Sequence, residues 1–475
     1  MKVSPFLWSI ANGVATRALT FVFFVVIGRL ITPADFGVMA LALAVALLID
    51  TLIEQGLGDA LVQRDELEDD HAGSVFIYQV TIAAAIATLL WVSAPYIAAI
   101  LGEPRLTDVL PWIGLASLLN SLGFVKQALF RRELQFKILA IRNFIATSVG
   151  GLIGFWYAYH GAGVMSLVVM HVANAALGVC VLWVASKHSF ALRFNFASLR
   201  SLLAFSKAVF GTRVIEVVAA RLDQVLIGQY FGASVLGYYA LAMRLYEILI
   251  QTTAAPIAEV AYPLFSRLQN DRQGMGQAYL RLVQYVGGLT IPLFVGAAVT
   301  APIFVPTFFG AQWQPATTYV VMILAVGALN SINTYNDVLF GAIGRPDLRL
   351  KFAIASLVLW LCSAAVLLPF GPIYAAITWG IRSLMVYPFR LNLALRLTDT
   401  SPQGLWGIVL PPILACGAMV GVVALVERAW PPETAVFAQM AVEVALGGGA
   451  YILALHLLGS PLPRRIRYLK SSIAG

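Results

Sequence analysis

The chain has 475 residues, of which 60% are hydrophobic and only 11% are charged. A soluble domain carries about a quarter charged residues, so this composition excludes a soluble globular protein and indicates an integral membrane protein. The three cysteines are far apart in the sequence, which indicates core packing and argues against a disulfide framework or a cysteine metal site.

Fourteen segments have the length of about 20 predominantly apolar residues that a helix needs to cross a bilayer. These predicted spans 1 to 14 cover residues 6–31, 36–62, 74–101, 109–130, 138–159, 164–186, 202–231, 235–265, 280–309, 316–343, 350–370, 372–396, 405–427 and 435–458. The sequence therefore predicts an all-α integral membrane fold with about fourteen transmembrane helices.

The loops between the predicted spans alternate in charge. Basic residues follow the even-numbered spans, as at Arg131, Arg132 and Lys137, and are rare after the odd-numbered spans. Cytoplasmic loops carry the excess of Lys and Arg, so both termini and all even-numbered loops are predicted to be cytoplasmic. The net charge of +8 then reflects basic loops that face anionic lipid headgroups, and nucleic-acid binding is not expected.

A repeat with an offset of 200 residues relates two parts of the chain. Val25–Ala42 reads VVIGRLITPADFGVMALA, and Val225–Ala242 reads VLIGQYFGASVLGYYALA. Both copies lie between an odd-numbered span and the next even-numbered span. This pattern predicts two parallel six-helix repeats around a central cavity, plus two C-terminal helices. The predicted divisions are an N-terminal lobe at 1–200, a C-terminal lobe at 201–400, and the extra helices with a basic cytoplasmic tail at 401–475.

Ionisable residues are concentrated in spans 1, 2, 7 and 8, which the repeat makes equivalent. A charge at the centre of a bilayer costs about 2.5–3.5 kcal/mol on insertion scales, so these residues are expected to line a cavity. The basic candidates are Arg17, Arg213, Arg221 and Arg244. The acidic candidates are Asp50, Glu54, Glu216, Asp223 and Glu247.

Five stretches together resemble one family of membrane proteins. They are IGRLITPADFGVMALA at 27–42, DTLIEQGLGDALVQR at 50–64, FRRELQFK at 130–137, PLFSRLQND at 263–271 and FGAQWQPA at 309–316. Their order and spacing resemble the colanic-acid type of bacterial polysaccharide-export flippases, in the multidrug/oligosaccharidyl-lipid/polysaccharide superfamily. Over spans 11–14 the likeness is one of hydropathy only.

The resemblance implies a carrier in the bacterial cytoplasmic (inner) membrane. Its implied substrate is an undecaprenyl-pyrophosphate-linked oligosaccharide, which moves from the cytoplasmic to the periplasmic leaflet. By the same likeness, spans 1, 2, 7 and 8 line the cavity, and the last two helices extend a groove for the lipid tail. The expected partners are this lipid-linked oligosaccharide, membrane lipids, a polysaccharide polymerase and the export machinery. The chain is expected to be a monomer.

Each candidate arginine has two interpretations. A guanidinium can bind two phosphate oxygens at once, which suits a pyrophosphate ligand. Alternatively, Arg213 pairs with Glu216 and Arg244 with Glu247, three residues further along the same helix. Arg17 has no acid nearby on its own helix, which favours a ligand or a gate for this residue.

The acids are equally open to two interpretations. Asp50, Glu54 and Glu247 either carry a coupling proton or sodium ion, or pair with arginines across the cavity. No cofactor and no catalytic residue is expected. Asp337, among three asparagines of span 10, either lines the cavity or bonds to neighbouring helices. Glu443 in span 14 has no assigned role.

Three other classes of protein compete with a flippase. A drug antiporter of the same superfamily would need a mainly acidic cavity, whereas four arginines suit an anionic ligand better. A membrane polymerase or ligase would need a long periplasmic loop for catalytic residues, and every odd-numbered loop is short. A scaffold protein would have no use for charges that are unfavourable in a membrane.

Overall fold

The computed structural model describes residues 3–64, 69–186, 190–431 and 435–459. Helices, joined by short connections, make up these described ranges, and no strand occurs within them. The helices are α1 (Val3–Leu30), α2 (Pro33–Glu54), α3 (Leu57–Gln63), α4 (Asp69–Leu101), α5 (Leu106–Arg132), α6 (Phe136–Tyr159), α7 (Val164–Ala185), α8 (Phe196–Thr253), α9 (Ala255–Arg267), α10 (Arg272–Phe309), α11 (Ala316–Ala342), α12 (Pro346–Leu367), α13 (Tyr374–Leu397), α14 (Pro402–Ala429) and α15 (Val436–Leu457).

Every predicted span overlaps one of these helices, which confirms the all-α membrane fold. Eleven helices in the described part of the chain are long and apolar enough to cross a membrane, so the count of fourteen is not confirmed. One difference arises because predicted spans 7 and 8 form a single helical run, α8, interrupted only at Gly232 (φ 79°, ψ 175°). The other differences are predicted spans 1 and 12, because their helices, α1 and α13, are not among the eleven.

The chain divides into two compact units, Met1–Ala240 and Leu241–Gly475. The first unit contains α1 to α7 and most of α8; the second contains the end of α8 and all later helices. The predicted lobe boundary at residue 200 lies before α8 reaches its interruption at Gly232, whereas the observed division follows it. The predicted lobes at 1–200, 201–400 and 401–475 stay a prediction.

In the first unit, the two copies of the repeat contact each other reciprocally. A Cβ atom at Gly37 would overlap the carbonyl oxygen of Ala233, and a Cβ atom at Gly237 would overlap the carbonyl oxygen of Pro33. Residues 33 and 37 stand 200 positions before residues 233 and 237, the offset of the repeat. We call this four-residue contact the junction closure. Only glycine allows the backbones to approach so closely at positions 37 and 237.

In the second unit, a proline in α10 determines how α15 is anchored. Pro292 lacks the amide proton that would otherwise bind the carbonyl oxygen of Gly288, four residues earlier. Tyr451 of α15 donates its hydroxyl proton to this carbonyl oxygen at 2.7 Å. The hydrogen bond satisfies a polar group that lipid cannot satisfy, and it ties the last helix to α10.

The junction closure generates a prediction about stability. Gly237→Ala should lower the melting temperature of the purified protein, because the new methyl group requires the backbone at Pro33 to move, at about 1–3 kcal/mol. Gly211→Ala on the same helix is the control, since a Cβ atom there has no neighbour within 4 Å. Equal melting temperatures for the two variants would contradict the close contact.

Candidate functional site

Arg213 of α8 lies between two carboxylates from the α2–α3 region. Its Nη1 is 3.2 Å from Oε2 of Glu54, and its Nη2 is 3.4 Å from Oδ2 of Asp59. The second oxygen of Asp59 lies 3.8 Å from Nη1 of Arg131, at the end of α5. We call these four residues the Arg213 cluster. It contains two positive and two negative charges, and its side chains are partly exposed, with Arg213 38% accessible.

A break between α2 and α3 brings both acids to the same guanidinium. Gln55 (φ 46°) and Gly56 (φ 72°) adopt left-handed conformations one after the other, which ends α2 and starts α3 in a new direction. Tyr78 donates a hydrogen bond to the side-chain oxygen of Gln55 at 3.1 Å and so fixes the break. Glu54 and Asp59 are five residues apart, a spacing that would turn their side chains away from each other on an unbroken helix.

A second group of charges lies near the junction closure. Asp35 closes a capping box with Thr32 at the start of α2, and Arg105, before α5, binds its carboxylate at 3.2 Å. Arg105 also binds Glu103 at 2.8 Å. The hydrogen bond that Arg105 donates to Glu103, together with the negative charges of Glu103 and Asp35, raises the pKa of Arg105 above its ordinary value. This loop end of the unit is therefore held by permanent charges.

In the second unit, Arg244 pairs with Glu247 on its own helix, at 3.5 Å between Nη1 and Oε2. This pair is the one predicted from the three-residue spacing. The intervening side chain, Tyr246, packs edge-on against Trp379 of α13, with 5.3 Å between ring centroids. Glu247 and Arg244 are both partly exposed, so the pair can exchange partners.

The polar residues of α11 bond to neighbouring helices. Asp337 forms an ion pair with Arg390 of α13. Asn330 donates to Ser383 of α13 at 3.1 Å, and Asn336 accepts a hydrogen bond from Tyr279 of α10 at 2.6 Å. Of the two interpretations of Asp337, the structure supports bonding between helices.

The structure brings some predicted site residues together and separates others. Arg213 contacts Glu54 and Asp59, on other helices, in place of the Glu216 partner that was one of its two interpretations. Arg17 is exposed on α1 and forms no ion pair or hydrogen bond with the described residues. Arg221 and Glu216 are partly buried on α8. The predicted roles of all these residues in binding stay predictions.

Three acids of the long helices differ in how their side-chain oxygens are hydrogen-bonded. Asp223 is only 3% exposed, and it accepts hydrogen bonds from the Tyr239 hydroxyl at 2.6 Å and from the Gln224 amide at 2.8 Å. The predicted cavity role of Asp223 stays a prediction. Asp50 has an oxygen, Oδ1, that is buried and has no hydrogen-bond partner in the described ranges. Glu443 is 1% exposed and accepts a hydrogen bond from Gln439 at 2.9 Å.

Sequence reasoning missed several charged residues of these clusters. Asp59 and Arg131 lie near predicted span ends. Charged residues are common there, so their position alone does not indicate a site. Arg390 lies inside predicted span 12 and inside α13, with its side chain 16% exposed. Arg382 lies in the middle of predicted span 12. Arg17 was selected because a charge inside a span is unfavourable in a membrane, and the same reasoning would have found Arg382.

The fold and these charge clusters define a multi-pass membrane transporter. The chain is similar over its whole length to a solved structure of the lipid II flippase MurJ in an inward closed conformation, with a TM-score of 0.78 and 15% identity. The match covers 97% of this chain and 99% of MurJ. At this identity the likeness establishes the fold alone.

Sequence comparisons identify the family. A family profile described as "polysaccharide biosynthesis protein" matches residues 26–318, and the chain belongs to this family. It is 28% identical to the succinoglycan biosynthesis transport protein ExoT of Rhizobium meliloti, over 70% of this chain and 68% of ExoT. It is 23% identical to the teichuronic acid biosynthesis protein TuaB of Bacillus subtilis, over 96% and 95% of the two chains. The protein is accordingly a transporter and not an enzyme.

The burial of Asp223 leads to a prediction about stability that can be tested without measuring transport. Tyr239→Phe should lower the melting temperature, because a buried carboxylate oxygen loses its donor, at about 1–3 kcal/mol. Tyr230→Phe is the control, since Tyr230 is 61% exposed. A Tyr239→Phe protein as stable as the control would contradict the structural role of Asp223.

Proposed function

We propose that this protein is an alternating-access carrier of an undecaprenyl-pyrophosphate-linked oligosaccharide. It moves this lipid from the cytoplasmic to the periplasmic leaflet of the bacterial cytoplasmic membrane, for capsule, exopolysaccharide or lipopolysaccharide synthesis. Family membership and the biosynthetic names of ExoT and TuaB support this proposal. The alternation of basic loops supports a topology with both termini in the cytoplasm.

The observation that carries the proposal is the Arg213 cluster. Arg213 is held by two carboxylates that are themselves partly exposed, so each ion pair contributes little to stability, about 0–1 kcal/mol. A pyrophosphate can replace these carboxylates, because its oxygens match the donors of a guanidinium and carry more charge. Arrival of the lipid head then breaks the contacts from α8 to Glu54 and Asp59.

The topology assigns the two contacts of the first unit to opposite membrane faces. The break at Gln55 lies near the predicted cytoplasmic end of span 2, and the junction closure follows span 1, on the predicted periplasmic side. In this state the periplasmic side is held by backbone packing between Gly37 and Gly237, which an anion does not disturb. An arriving anion therefore acts first on the cytoplasmic end, as export requires.

The membrane potential supplies a driving force for this direction. Moving one negative charge outward, against a potential that is negative inside, gains about 2.3 kcal/mol per 100 mV. A coupling proton or sodium ion would add to this gain. Asp50 is the candidate carrier for it, because Oδ1 of Asp50 is buried in a spanning helix and lacks a hydrogen-bond donor in the described ranges.

The released lipid is the substrate that a periplasmic polymerase and the export machinery would consume, so these are the proposed partners. A drug antiporter stays the rival function. It would bind a cation, and would therefore contact the acids of the Arg213 cluster in place of its arginines. The names of the relatives in polysaccharide biosynthesis favour the flippase.

A deletion strain tests the proposal. Loss of the gene should cause full-length lipid-linked repeat units to accumulate on the cytoplasmic face, and the wild-type gene should reverse this. Arg213→Ala should fail to reverse it, with polysaccharide reduced at least tenfold, while the protein stays at the wild-type level in the membrane. Arg345→Ala is the control, because it breaks an exposed pair with Asp347 and should export normally.

Two outcomes would contradict the proposal. Accumulation of single repeat units on the periplasmic face would indicate a polymerase. Normal export by Arg213→Ala would show that the guanidinium has no part in transport.

Asp50→Asn tests ion coupling separately. The amide keeps the shape of the side chain but cannot carry a negative charge. We expect slower export that no longer responds when the pH gradient or the sodium gradient is collapsed. Asp347→Asn, at a partly exposed acid in the first turn of α12, should respond as the wild type does. If Asp50→Asn keeps the wild-type response to both gradients, Asp50 is not the carrier.

A further inference from the structure

Arg382 lies in helix α13, which corresponds to predicted span 12, and no acid among the described residues balances its charge. It is half-buried, eight residues after the start of the helix at Tyr374. Among the residues that the structure describes, no carboxylate lies within ion-pair distance of Arg382, and its guanidinium makes no hydrogen bond. Its closest recorded neighbour is the ring of Trp379, 5.9 Å from the guanidinium carbon.

Three other arginines of the long helices contrast with Arg382, because each of them pairs with an acid. Arg390, eight residues further along α13, pairs with Asp337. Arg244 pairs with Glu247, and Arg213 binds two acids. A cation over an aromatic ring recovers only part of what a charge loses on leaving water. The guanidinium of Arg382 can therefore bind an anionic ligand that comes from outside the protein.

The surroundings of Arg382 fix its position. Trp379 is only 2% exposed, and its ring packs against Tyr246 of α8, on the helix that also carries Arg244. A buried indole held on both sides cannot move with the guanidinium, so it limits where the charge can lie. A site whose charged group is already positioned loses less freedom when a ligand binds.

We propose that Arg382 is a binding residue for the diphosphate head of the lipid-linked substrate, with Trp379 as the residue that positions it. This inference rests on the proposed function and adds a binding residue in the second unit. The planar guanidinium binds two phosphate oxygens, and because its charge is half-buried and unbalanced among the described residues, a diphosphate head is a better ligand than a monophosphate. Arg244 can join it once the head group displaces Glu247.

Direct binding of farnesyl diphosphate tests the inference without an oligosaccharide. The full chain is placed in nanodiscs of neutral phospholipid, and binding of radiolabelled farnesyl diphosphate is measured. Arg382→Ala should raise the Kd about 10- to 100-fold, the loss expected for a charge-assisted hydrogen bond. Arg382→Lys should recover part of the affinity. Arg396→Ala, at an exposed arginine on the same helix, should bind like the wild type.

Competition and melting curves complete the test. Farnesyl monophosphate should compete at least tenfold less well than the diphosphate, and inorganic diphosphate should compete if the head group alone is recognised. Trp379→Phe should raise the Kd less than Arg382→Ala does. Equal melting temperatures of Arg382→Lys and the wild type would show that any loss of affinity is not a loss of folding.

The inference is overturned if Arg382→Ala binds farnesyl diphosphate with the wild-type Kd, whatever its effect on export. Loss of binding in Arg396→Ala as well would also overturn it, because the effect would then reflect net charge. The proposed function fails by a different result, namely normal polysaccharide and no lipid-linked intermediates in the deletion strain. A wild-type protein that exports but does not bind the probe overturns the inference alone.

Discussion

The arrangement of this transporter depends on what a hydrocarbon layer does to charge. A charged side chain at the centre of a membrane costs about 2.5–3.5 kcal/mol on insertion scales, and this chain keeps many. It meets this constraint in three ways. Asp223 is buried with its hydrogen-bond donors, Arg213 is held by exposed and exchangeable acids, and Arg382 rests on an aromatic ring. Each arrangement leaves a different group available to a ligand.

The two contacts of the first unit differ in chemistry, and this difference gives them different responses. The junction closure is a contact between backbones, made at glycines 200 residues apart, and it involves no charge. The Arg213 cluster is electrostatic and partly exposed, so salt and an arriving anion both weaken it. One end of the unit therefore responds to the charge of a ligand, while the other responds only to movement of the helices themselves.

Much of the fold followed from the sequence, because apolar length and charge alternation are direct consequences of the bilayer. The repeat at Gly37 and Gly237 also predicted equivalent positions, although not that the two copies touch. The ion-pair partners of the charged side chains were harder to predict. Spacing along one helix offered the Arg244–Glu247 pair, which the structure shows. It also offered an Arg213–Glu216 pair as one of two interpretations, whereas the break at Gln55 brings Glu54 and Asp59 to Arg213. Contacts between helices depend on packing that a single sequence does not encode in its local pattern.

The central claim is that this protein selects a lipid by its anionic diphosphate head and carries it across the bilayer. It is tested most directly in vesicles that contain only the purified protein, with fluorescent lipids whose outer-leaflet fraction is bleached by dithionite. The account predicts protein-dependent crossing of a diphosphate-linked oligosaccharide lipid, faster with a potential that drives anions toward the receiving leaflet, and no crossing of labelled phosphatidylcholine. Equal crossing of both lipids, or crossing that ignores the potential, would contradict it.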